Sequence, residues 1–162
     1  MGLVAITQVW AVNNNQKKIG ALKKYISSKY LEEHKDKIRA VAITHGHLDH
    51  IGGIPVIMES IGNPPIYTRN LTALMIKKRQ EEFPHFPPLN IIVVEKEERI
   101  KIGNFRVHFF GVTHTIPDSM GVIIETPYGR IVNPGDYKLD LDAVNLDLDA
   151  ITWLEGLLND FK

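Results

Sequence analysis

The chain has 162 residues, 44% of them apolar, which suits one globular domain with its own core rather than a disordered segment. Lysine plus arginine (19) balance aspartate plus glutamate (19), so net charge gives no argument for nucleic acid or for a membrane surface. There is no cysteine. That excludes disulfides and thiolate ligands, restricts any metal site to histidine and carboxylate, and fits a cytoplasmic protein.

The apolar start, Leu3 to Val12, has the β-branched residues of a buried strand and lacks the basic flank of a signal peptide. No apolar run is long enough to span a bilayer. Asn13-Asn14-Asn15 marks a turn, and Ile19, Leu22, Ile26 and Tyr30 recur at helical spacing, predicting a helix over about 17–33. Ile38 to Ile43 is a continuous apolar run, as in a buried strand, with a loop from Thr44 to His50 at its end. Ile51, Ile54, Ile57, Met58 and Ile61 mark one further helix, with Pro55 in its first turn. Ile66–Thr68 reads as a short strand. Asn70 reads as the N-cap of a helix that carries Leu71, Leu74 and Met75 on one face.

Strands are then expected at Ile91–Val94, Arg99–Ile102, Phe105–Phe110, Gly121–Glu125 and Arg130–Val132, and a last helix at 150–161. Helices alternate with strands early and strands cluster late, which predicts an α/β chain with a mixed sheet. Leu-Asp-Leu-Asp-Ala occurs at 139–143 and again at 146–150, too short for a structural repeat. The aspartates within it lack the glycine and terminal glutamate of an EF-hand loop, so a solvated acidic loop is expected.

The chemistry concentrates in His45-Gly46-His47-Leu48-Asp49-His50. Four ligand-type side chains within six positions follow a buried strand, and imidazole with carboxylate suits zinc or a similar divalent ion. Gly46 is expected to let the backbone turn tightly. His114 and Asp136 each follow a strand, where α/β sheets place their chemistry. His108 is expected to face solvent and His85 to sit in a proline-rich loop. Lys17-Lys18, Lys23-Lys24 and Lys77-Lys78-Arg79 read as solvated helix faces.

Thr44-His45-Gly46-His47-Leu48-Asp49-His50-Ile51-Gly52-Gly53-Ile54-Pro55 resembles the signature of the metallo-β-lactamase superfamily. His114-Thr115-Ile116-Pro117-Asp118-Ser119, Tyr30-Leu31-Glu32-Glu33 and Gly135-Asp136-Tyr137-Lys138-Leu139-Asp140 resemble the ribonuclease J (β-CASP) family within it. The resemblance covers about residues 27 to 142, and Pro134 departs from the family's Thr-Gly-Asp. It implies an αββα sandwich, incomplete at both ends relative to the family, with 1–26 an atypical N-terminal segment and 27–162 a partial domain. It implies two divalent ions, zinc or manganese. His45, His47 and His114 would hold one ion, Asp49 and His50 the other, and Asp136 would bridge them. Asp49 would also handle the proton of an attacking water.

The implied function is hydrolysis of RNA phosphodiesters, as a 5′ exonuclease and also an endonuclease, in a protein that is homo-oligomeric when complete. Two alternatives stand beside it: a thioester or lactone hydrolase, and a non-catalytic binding partner. The family's nuclease insertion and late metal-binding histidine have no counterpart here, so weak activity of this chain alone is expected. Ser119 and Asp118 either contact substrate or order the His114 loop, with the second role favoured.

Overall fold

The structure is a computed structural model that describes residues 3–6 and 28–138. Its elements are β1 (Leu3–Ile6), α1 (Ser28–Glu33), a 3-10 turn (Lys35–Lys37), β2 (Ile38–Ala42), α2 (Leu48–Ile51), α3 (Ile54–Ser60), β3 (Ile66–Thr68), α4 (Asn70–Gln80), β4 (Ile91–Val93), β5 (Arg99–Ile102), β6 (Phe105–Gly111), β7 (Met120–Thr126) and β8 (Gly129–Asn133). The remainder of the helix expected over 17–33, the helix expected at 150–161 and the acidic repeat lie outside the described residues.

The strands form two sheets rather than one mixed sheet. The first, β1-β2-β3-β4, is entirely parallel, with Val41 opposite Ile66 and Ile66 opposite Ile91. Parallel neighbours need crossover connections, and the helices between β1 and β4 supply them. The second, β5-β6-β7-β8, is an antiparallel meander, with Phe109 opposite Val122. The split follows chain order: the crossovers end at β4, and after it two short turns and the longer His114 loop join β5 to β8.

β2 explains the layering. Val41 and Ile43 point to a cluster with Ile51, Ile54, Met58, Ile61 and Ile76 from the helical side. Ala40 and Ala42, on the opposite face, meet Val107, Phe109, Met120, Val122 and Ile124 of the second sheet. Small residues on that face let the sheets approach closely, and the ring of Tyr67 stacks on that of Phe109 across the gap. The layers are helix, sheet and sheet, and among the described residues no helix follows β4.

Three local expectations need correction. The single helix expected through Ile51–Ile61 is two short ones, broken at Gly52-Gly53, and helix already begins at Leu48. On α4 the buried residues are Thr72, Ala73 and Ile76, while Leu74 is 56% exposed. The N-cap position is Arg69, in extended backbone, rather than Asn70. Among the described residues no helix is long and apolar enough to cross a membrane.

Candidate metal centre

The C-terminal ends of β2, β6 and β8 deliver the three segments that carry the candidate ligands. Backbone hydrogen bonds lock these segments together. Met120 N–H donates to Thr44 O (2.9 Å), and Lys138 N–H donates to Thr113 O (2.7 Å). The residue before His45 is thereby tied to the end of the His114 loop, and the residue before His114 to the stretch after Asp136.

His45 is fully buried at the centre of the cluster. The His50 ring centroid lies 3.9 Å from that of His45, and those of His47 and His114 each lie 4.7 Å away. His114 Nε2 is 3.2 Å from His47 Nδ1. Two groups of ligand atoms fall within 4.8 Å of one another: His45, His47 and His114, and His45, His50 and Asp136. Asp136 Oδ2 is 3.4 Å from His50 Nε2 and 3.9 Å from His45 Nε2. Asp49 is half-exposed on α2, with Oδ2 3.7 Å from His50 Nε2. His45 is therefore shared between the groups, and Asp49 stands at the rim.

Burial, followed by the neighbouring imidazoles of His50, His114 and His47, pushes the His45 pKa down to about 4, with Asp136 opposing. Burial and His47 lower that of His114. Both rings are therefore neutral near pH 7, the state in which an imidazole offers a lone pair to a metal.

Thr44 Oγ1 lies 3.0 Å from His45 Nδ1. Taking Nδ1 as the protonated nitrogen, donating to the hydroxyl, leaves the Nε2 lone pair aimed into the cluster. That Nε2 is buried without a hydrogen-bond partner, a costly arrangement unless a cation meets it. Tetrahedral zinc, with Zn–N of about 2.0–2.1 Å, sets neighbouring ligand nitrogens about 3.3–3.4 Å apart, close to the His47–His114 spacing. The residues fit a divalent ion.

Two glycines make the packing possible. Gly46 has no left-handed backbone; its need is space, because a Cβ there would sit 2.5 Å from Met75 Sδ. Gly135 needs both, with φ +66° and a Cβ that would meet Thr44 Cβ at 2.8 Å. Its N–H donates to Asn133 Oδ1 (2.8 Å), closing the turn that presents Asp136.

Ser119 is buried, and its hydroxyl donates to Ile116 O (2.9 Å), closing the His114 loop on itself. Asp118 reaches α4, where Oδ2 accepts from Leu71 N–H (3.0 Å) and Oδ1 from the Arg69 guanidinium (3.3 Å). His108, expected to face solvent, is only 7% exposed and pairs with Glu97 (3.0 Å). β6 is buried at four successive residues, Val107–Phe110, so alternation on this strand does not report exposure. The sequence assigned no role to Thr44 or Arg69. A hydroxyl next to a candidate ligand was a usable signal for Thr44; nothing local marks Arg69.

The profile of the metallo-beta-lactamase superfamily matches residues 14–159. The chain is 44% identical over 117 residues to a ribonuclease J of Thermus thermophilus, covering 68% of this chain and 20% of that protein. It is 37% identical over 124 residues to a ribonuclease J of Mycoplasma pneumoniae, covering 76% and 22%. The chain thus spans about a fifth of the length of these relatives. A mutant flavo di-iron protein of Thermotoga maritima superposes with a TM-score of 0.50 at 24% identity, covering 75% of this chain and 28% of that one, a likeness of fold alone. The chain belongs to the metallo-beta-lactamase superfamily and has its fold, and its sequence groups it with the ribonuclease J proteins.

Proposed function

We propose that the cluster holds two divalent metal ions, zinc or manganese, and that the protein hydrolyses RNA phosphodiesters in the manner of a ribonuclease J. The observation that carries the metal reading is the buried, unpartnered Nε2 of His45, in a side chain grouped with four other ligand-type side chains. His45, His47 and His114 would hold one ion and His50 with Asp49 the other, with Asp136 between them. Oxygen and nitrogen donors of this kind suit both metals. Such ions, when bound, supply Lewis acidity that activates water and offsets charge on the phosphate oxygens.

The chain's own residues do the rest. His45 and His114 stay neutral and, with His47, present ring nitrogens to the ion. Thr44 fixes the His45 tautomer. Asp136 brings negative charge beside His45 and His50, where it would offset the charge of bound cations. Asp49, whose carboxylate is half in solvent, takes up the proton that an attacking water releases at Oδ2. RNA as substrate, attacked as a 5′ exonuclease and also internally, rests on the likeness to the ribonuclease J proteins.

The test is decay of a 5′-monophosphorylated RNA by the purified chain with zinc or manganese, beside hydrolysis of a thioester. RNA decay that stops with chelator and in His45→Ala supports the reading. Thioester turnover without RNA decay would overturn the substrate.

A further inference from the structure

The His114 loop is pinned at its base. Val112 N–H donates to Ser119 O (3.1 Å), and Lys138 N–H donates to Thr113 O. The tip beyond, residues 114–118, is tied outward by His114 to His47 and by Asp118 to Leu71 and Arg69. Asp118 holds a left-handed φ of +62°, a conformation unusual for a residue with a side chain though better tolerated by aspartate than by most. That backbone aims the carboxylate at the first turn of α4, where helix N–H groups lack partners. Arg69, which reaches Asp118, also bonds Glu95 (2.9 Å), so the contact is braced from the end of β4 as well.

The same helix touches the other ligand segment. Met75, four residues along α4 from Leu71, lies against Gly46, between His45 and His47. One rigid element thus contacts both the loop that carries His47 and the loop that carries His114. Helical neighbours four apart share a face, so the two contacts keep a fixed separation.

We infer that Asp118, clamped on the N-terminal turn of α4 by Leu71 N–H and Arg69, is a positioning residue that sets the spacing of His114 from His47. The inference rests on the reading of those two histidines as ligands of one ion. Without the clamp the loop keeps its base, but its tip drifts, and the first three-histidine group loses its geometry.

The experiment is titration of the metal-free chain with cobalt(II), followed by visible absorption, with thermal midpoints measured in parallel. The chains compared are the wild type, His114→Ala, Asp118→Ala, Asp118→Asn and Ile76→Val. Ile76 is buried on α4 in the apolar cluster of the helical side and is not itself a candidate ligand, so Ile76→Val loosens the helix by packing alone. Asp118→Asn keeps an acceptor for Leu71 N–H and tolerates the left-handed backbone.

Expected is a loss of cobalt affinity of about tenfold in Asp118→Ala, the lower end of what removal of a ligand-orienting partner costs. Its spectrum should shift toward that of His114→Ala, with affinity near wild type in Asp118→Asn and in Ile76→Val. Wild-type affinity in Asp118→Ala, while His114→Ala is impaired, would overturn the inference and leave the metal reading intact. Losses in Asp118→Ala and Ile76→Val that track their thermal midpoints alike would also overturn it. A wild-type chain that takes up no cobalt would overturn the metal reading itself.

Discussion

His114 Nε2 lies 3.2 Å from His47 Nδ1 across a separation of 67 residues. Two ring lone pairs facing each other at that distance repel, so the approach is favourable only with a proton or a cation between them. If they bind one ion, the two residues act as a unit. His47→Ala and His114→Ala should each weaken zinc binding, and the double substitution should weaken it by much less than the sum. Isothermal titration of the four chains gives the coupling directly. Additive losses would place the two rings on different ions.

Asp136 Oδ2 faces both His50 and His45, while its side chain remains 39% exposed. Asp136→Asn should therefore leave the fold intact and weaken both ions, because an amide lacks the charge that offsets two close cations. A loss of about tenfold or more in each step is expected. Elemental analysis after dialysis checks it; loss of a single ion would make Asp136 a terminal ligand.

Gly135→Ala places a Cβ 2.8 Å from Thr44 Cβ in left-handed backbone. The backbone term alone costs roughly 1–2 kcal/mol. Because Thr44 orients His45, metal affinity should fall together with the urea unfolding midpoint. A variant that loses stability but keeps wild-type affinity would show that the turn does not transmit to the site.

In the metal-free chain, His45 titrates at about 4 in the folded state against 6.5 ordinarily. Between those values the unfolded chain binds more protons than the folded one, so stability is full above pH 6.5 and falls as pH drops toward 4. His114 shifts in the same direction and adds to the slope. Urea midpoints of chelator-treated protein across this window should decline, and His45→Gln should flatten the decline. A flat wild-type profile would contradict the assigned burial of His45.

The legible parts of the sequence were the local ones. Ile66–Thr68, bounded by Pro64-Pro65 and by Asn70, is a strand over the expected residues. The 45–50 run declared itself by ligand density, whereas His114 and Asp136 stood out only by strand-end position and by resemblance. What stayed hidden depends on distant partners. Asp118 meets Arg69 49 positions away and replaces the local cap expected at Asn70. α4 buries Thr72 and Ala73 while leaving Leu74 in solvent, and a hydrophobic stripe does not mark small buried residues. His108 followed the alternation of β6, but both faces of that strand are covered.

The central claim is that the cluster around His45 is a metal centre. The most direct test is the metal content, by elemental analysis, of the zinc- or manganese-saturated and dialysed chain beside His45→Ala/His47→Ala. The account predicts that the double substitution removes at least one ion per chain. Equal metal content in the two proteins would contradict it.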